Sequence, residues 1–106
     1  MTQKYLTLFK DIEWDTATVG MSQKTITYEK KTIKLVRFTN EFGEDDWCTK
    51  SHKGQIVSGT LRVNFSGKIK NYKTGSQLII SEAESHKVEM EKGYISEVIL
   101  LQDTTS

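Results

Sequence analysis

The sequence predicts an all-β domain of the sandwich or barrel type, on three observations. Apolar residues recur at a period of two almost throughout. Turn dipeptides rich in glycine and serine fall every several residues. Helix signals are weak, and proline is absent from the chain. A length of 106 residues suits a single domain, 1–106, enclosing one modest core. An N-terminal arm is expected over 1–23 and the barrel core over about 24–103.

The elements follow in chain order. "YLTLFKDI" reads as an N-terminal strand or a partner-facing arm, and residues 15–23 show no clear period. "TITYEKKTIKLVRF" reads as two strands joined by a charged turn at Glu29 to Lys31. Ile26 and Tyr28 alternate in the first, Ile33 and Leu35 in the second. "QIVSGTLRVNFSG" reads as a hairpin with Ser58-Gly59 at or near its turn, because glycine supplies a positive φ at little cost. Leu61, Val63 and Phe65 then share a face. Ser66-Gly67 marks the next turn, "KIKNY" follows with Ile69 as its apolar residue, and Thr74-Gly75 opens "SQLIIS". In "HKVEM", His86, Val88 and Met90 alternate against Lys87 and Glu89. Gly93 turns the chain into "SEVILLQ", a nearly continuous apolar run suited to a strand buried on both faces.

Composition excludes several function classes. Hydrophobic residues make up 36% and charged residues 27%, as expected of a globular domain and not of a disordered chain. Fifteen basic and fourteen acidic residues leave a formal charge of +1, so no broad field favours nucleic acid or an anionic membrane. Lys30, Lys31, Lys34, Lys68, Lys70 and Lys73 read as the solvated faces of strands. A single cysteine forms no intramolecular disulfide. The N-terminal stretch has no signal-peptide core and no segment is long enough to span a bilayer, so a cytoplasmic protein is expected. There is no phosphate-cradling glycine loop, no G-x-S-x-G elbow, no C-x-x-C pair and no H-E-x-x-H.

Two stretches carry a family resemblance. "GSQLIISEAESHKVEM", Gly75 to Met90, resembles the second conserved motif of cupins, G-x5-P-x-G-x2-H-x3-N. Gly75 and His86 match, while Ser81, Ala83 and Met90 replace the proline, glycine and asparagine. "QIVSGTLRV" resembles the end of the first cupin motif, G-x5-H-x-H-x3-4-E-x6-G, with Gly59 as its closing glycine. Counting back puts His52 where the family has glutamate, and Asp46 and Cys48 where it has two histidines. "DWCTKSHKG" is also similar to a segment of small single-domain cupins carrying W-C-x-K-x-H. The resemblance spans roughly residues 33 to 102. It implies a cupin-type double-stranded β-helix, a jelly-roll barrel with its ligand cavity inside. It also implies a homodimer.

Metal ligation in a barrel needs inward side chains from separate strands, with donor atoms within about 2.0–2.3 Å of one point. The cupin pattern makes the strands of His52 and His86 neighbours. Asp46, Cys48 and His52 share parity, so an extended chain would aim all three one way. Cys48, His52 and His86 would suit zinc; Asp46 in place of Cys48 would suit ferrous iron. Against this, a lone strand cysteine is commonly an unreactive buried residue. Trp47 is a candidate wall of the cavity mouth, Gln55 a weaker lining candidate. Arg37 shares parity with Ile33 and Leu35, so it either reaches an anionic ligand inside the barrel or lies in water. Glu82 and Glu84 are expected to be exposed. The expected function is binding of a small polar molecule, through a divalent metal or without one as a metal-free sensing module.

Overall fold

The computed structural model describes residues 2–44 and 46–103. A short helix, α1 (Thr2–Phe9), precedes eight strands: β1 (Asp15–Thr18), β2 (Met21–Tyr28), β3 (Lys31–Phe38), β4 (His52–Phe65), β5 (Lys68–Lys73), β6 (Gln77–Ile80), β7 (Lys87–Val88) and β8 (Ser96–Asp103). They pair antiparallel in the order β1-β2-β3-β8-β4-β5, with β6 and β7 also on β4. The fold is all-β, as the period of two predicts. The ends of the predicted single domain, residues 1 and 104–106, lie outside the described residues.

β4 organises the barrel. Its first half pairs with β6 and β8, its second half with β5 and β7. The predicted hairpin at Ser58-Gly59 is therefore one continuous strand of fourteen residues. Its signal has a different cause. The register with β8 shifts between Ile56 and Ser58, which inserts Val57 as an extra residue and bends the strand. Gly59 follows at φ 76, and a Cβ there would collide with the carbonyl oxygen of Ile95. Inward-facing positions change from even (Ile56) to odd (Leu61, Val63) across the bend.

The sheet buries both faces. Inside the barrel, Val36, Phe38, Ile56, Leu61, Val63, Tyr72, Leu78, Ile80, Val88 and Val98 pack together. Outside it, Phe9 of α1 packs on Ile33, Leu35 and Ile99, with Leu6 and Trp14 at the margin. β8 contributes Val98 to one cluster and Ile99 to the other, which explains its unbroken apolar run.

Three local expectations change. "YLTLF" is helical: Leu6 and Phe9 lie three apart on one face, and the Lys24 ammonium donates to the Phe9 carbonyl at 3.3 Å, covering the helix C-terminus. Strand structure begins at Asp15, earlier than the expected core boundary near residue 24. In β5 it is Tyr72 that is buried, at 6%, because it lies opposite Leu61; Ile69 is 44% exposed. The turn at Glu29-Lys30 forms as predicted, both residues having positive φ (51° and 64°) as a two-residue hairpin requires.

Candidate metal centre

Two backbone pairings set the site. Cys48 and His86 form an antiparallel bridge, with Cys48 N–H donating to the His86 carbonyl at 2.8 Å and His86 N–H to the Cys48 carbonyl at 3.0 Å. Directly opposed residues project to the same side of a sheet, so thiol and imidazole emerge together. His52 opens β4 opposite Ile80, a core residue, so its ring also turns inward. The two histidines are neighbours in space despite the 33 residues between them. Their rings meet edge to face with centroids 5.1 Å apart.

The ligand atoms of Cys48, His52 and His86 all lie within 4.8 Å of one another. Cys48 Sγ is 3.7 Å from His52 Nε2. A sulfur and a nitrogen bound tetrahedrally to one zinc ion would be separated by about 3.6 Å, from Zn–S near 2.3 Å and Zn–N near 2.0–2.1 Å. The pair already stands at that spacing.

Protonation favours the same use. His86 Nδ1 lies 3.2 Å from the Glu84 carbonyl, and a carbonyl only accepts, so Nδ1 carries a hydrogen and, in the neutral ring, Nε2 has the lone pair. His86 is 1% exposed, and its ring also packs against Phe65. Burial, then the neighbouring His86 and then Lys50 push the pKa of His52 below its ordinary value of 6.5. A neutral imidazole is the ligating form.

The three donors line an interior cavity of about 170 Å³, whose other walls are almost wholly apolar, among them Phe38, Leu61, Leu78, Val98 and Leu100. Glu44 also lines it. Its carboxylate accepts from Val88 N–H at 2.9 Å while its own N–H donates to the Val88 carbonyl at 3.0 Å. A more open depression of about 460 Å³ lies near the β4 bend, beside Asn71, Lys73 and Tyr94, but gathers no cysteine or histidine.

The remaining sequence candidates lie elsewhere. Asp46 is exposed and stands apart from the converging donors. The chain bends there instead of extending, so shared parity with Cys48 does not aim the two side chains together. Trp47 is 45% exposed and carries the Lys87 ammonium 4.7 Å above its ring; it is not part of the cavity lining. Gln55 precedes the β4 bulge on the outward parity and donates to the Gly75 carbonyl at 3.3 Å. Arg37 does share a face with Ile33 and Leu35, but that face is the outer one under α1. There its guanidinium pairs with Glu97 at 2.7 Å and stacks on Trp14 at 4.1 Å. Glu44 went unmarked in the sequence; its one signal is a parity shared with Cys48, and its side chain is placed by β7, far along the chain.

No family model matches the chain, and no curated protein matches it. Solved structures do. The polyketide cyclase RemF from Streptomyces resistomycificus superposes with a TM-score of 0.74 at 8% identity, over 89% of this chain and 75% of that one. An RmlC-like cupin from Shewanella frigidimarina gives 0.69 at 15% identity, over 90% and 86%. The fold is that of the cupins. A sugar phosphate isomerase of the cupin superfamily from Silicibacter pomeroyi also gives 0.69, at 10% identity over 90% and 73%. At such identities the likeness concerns the cupin barrel alone, and function has to be argued from the site. Among the described residues, no helix is long and apolar enough to cross a membrane.

Proposed function

We propose that this cupin domain holds a divalent ion, zinc by its donor set, between Cys48, His52 and His86, and binds a small molecule in the adjoining cavity. The observation that carries the reading is the convergence of one sulfur and two imidazoles within 4.8 Å inside the barrel. A thiolate with two imidazoles is a zinc-type set. The iron alternative needs a carboxylate; Asp46 is exposed on the bend outside the donor group, and the Glu44 carboxylate, which accepts from Val88 N–H in the cavity wall, is not among the converging donors.

Held by Cys48, His52 and His86, such an ion would supply Lewis acidity toward an oxygen in the cavity. The residues do the rest. The backbone bridge fixes Cys48 beside His86, the Glu84 carbonyl orients the His86 ring, and burial disfavours the charged form of His52. The apolar walls lower the polarity around the donors. The solved neighbours are described as acting on polyketides and sugar phosphates, substrates of unlike polarity, so they support ligand binding in the barrel without choosing its class.

Metal analysis of untagged protein tests the reading. Zinc near one equivalent is expected, falling with Cys48→Ala and with His86→Ala. Substoichiometric metal that persists after supplementation and ignores both substitutions would remove it.

A metal-free binding module is the second reading, favoured by the apolar walls, which offer binding energy without an ion. Ligand-induced thermal shifts that survive exhaustive chelation would select it. A homodimer is part of either reading, supported by β1 and β6 each pairing along one edge only among the described residues. A monomer by light scattering at micromolar concentration would refute that part.

A further inference from the structure

The cavity is small and its polar groups are few. Met21, Phe38, Leu61, Leu78, Val98 and Leu100 contribute hydrocarbon, and polar atoms come from Cys48, His52, His86 and Glu44. A cavity of about 150 Å³ admits benzene, so the roughly 170 Å³ here suits one compact molecule. Beyond Cys48, His52, His86 and Glu44 the lining side chains offer no donors or acceptors, so most hydroxyl groups of a polyol would be buried unpaired.

Charge then selects the head group. Among the groups lining the cavity, a divalent ion, the Cys48 thiolate and the Glu44 carboxylate would sum to zero; Lys50, which acts on His52, is exposed to solvent outside the lining. A neutral oxygen leaves the apolar cavity without net charge. A carboxylate would add an uncompensated buried anion, which low-polarity surroundings penalise heavily. Glu44 is well placed for this role because its reciprocal hydrogen bonds to Val88 hold it in the cavity wall.

We infer that the cavity takes a compact, predominantly hydrocarbon molecule of about six to eight non-hydrogen atoms with one uncharged oxygen head, a hydroxyl or a carbonyl, turned toward Cys48, His52 and His86. The inference rests on the zinc reading above for its head group and on the cavity walls for its body.

Calorimetric titration of the zinc-loaded protein tests it, with metal content measured on the same sample. The probes are cyclohexanol, cyclohexanone, cyclopentanecarboxylate and ribose. The two neutral cyclic probes are expected to bind at least about tenfold more tightly than the carboxylate, and ribose not at all. Glu44→Gln keeps the acceptor for Val88 N–H but removes the charge, so the preference should reverse toward the carboxylate. Leu100→Phe, or Met21→Phe should the first fold poorly, should weaken cyclohexanol by about tenfold or more with zinc retained. Tighter binding of carboxylate or ribose by the native protein overturns the inference, as does loss of all binding with zinc at one equivalent. A Glu44→Gln protein with unchanged preference overturns the charge argument. Protein without zinc overturns the metal reading and the head group with it, and the metal measurement separates that failure from the others.

Discussion

Replacing Cys48 with alanine separates a ligating thiol from an ordinary strand cysteine. Cys48 is half-buried, and its sulfur has one polar contact, His52 Nε2 at 3.7 Å. Losing one sulfur atom costs the metal-free protein about 1 kcal/mol or less. Metal-dependent stability should respond far more. Free zinc at about a hundred times its dissociation constant adds about 2.7 kcal/mol to a folded state that alone binds it. At about 4 °C per kcal/mol for a domain of this size, that is a rise in Tm of about 10 °C. Substituting groups that merely support a metal ligand commonly costs about 10–100-fold in affinity, so removing a ligand costs at least about a hundredfold. The same zinc concentration then only matches the variant's dissociation constant, which leaves about 0.4 kcal/mol, or about 2 °C. Thermal melts of both proteins, after chelation and again with buffered zinc, give the four values needed. Equal zinc-induced shifts in the two proteins would refute thiol ligation.

Three other outcomes are expected. The folded-state pKa of His52 lies below its ordinary 6.5, so below that value the unfolded chain binds a proton that the folded one resists. Metal-free stability should be greatest above pH 6.5 and decline as pH falls below that value; chemical denaturation of native and His52→Gln proteins, with a smaller decline in the variant, measures it, and equal profiles refute it. Gly54→Ala drives a Cβ into the Ile99 carbonyl oxygen across the β4–β8 ladder and should cost about 3 kcal/mol; an unchanged denaturation midpoint would count against that close approach. Phe9→Ala empties a site that is 1% exposed and should cost up to about 3–5 kcal/mol or release α1, read by a red shift in Trp14 emission. Zinc affinity should stay unchanged, since α1 covers the outer face.

The fold was legible because most strands declare one face by alternation and β8 declares two by its apolar run. Failures cluster where a local signal has two physical causes. Glycine after serine marks a tight turn or a bulge with equal economy, and at Gly59 the bulge wins because the strand continues into a second set of partners. Arg37 shows a different limit. Parity placed it with Ile33 and Leu35 correctly, yet parity does not say which face of a doubly buried sheet is the interior. That depends on α1, an eight-residue helix too short to show periodicity among threonine, tyrosine and phenylalanine.

The candidate site divides along the same line. Its donors were visible as residue types at spacings, but which donors converge depends on backbone pairing. Cys48 is held by two hydrogen bonds to His86, and Asp46, two residues earlier, is on a bend with no such partner strand. That difference removes Asp46 from the cluster and leaves the thiol. It also bears on the order of events. The bridge, the Ile80 pairing of His52 and the Glu84 hydrogen bond are all protein contacts, so the donors are gathered by folding and not by the ion. The domain should therefore fold without metal, unlike a zinc finger whose binding energy is its folding energy. Chelated protein that retains its far-ultraviolet circular dichroism and melts cooperatively supports this. Loss of the cooperative transition on chelation would mean that the ion gathers the ligands.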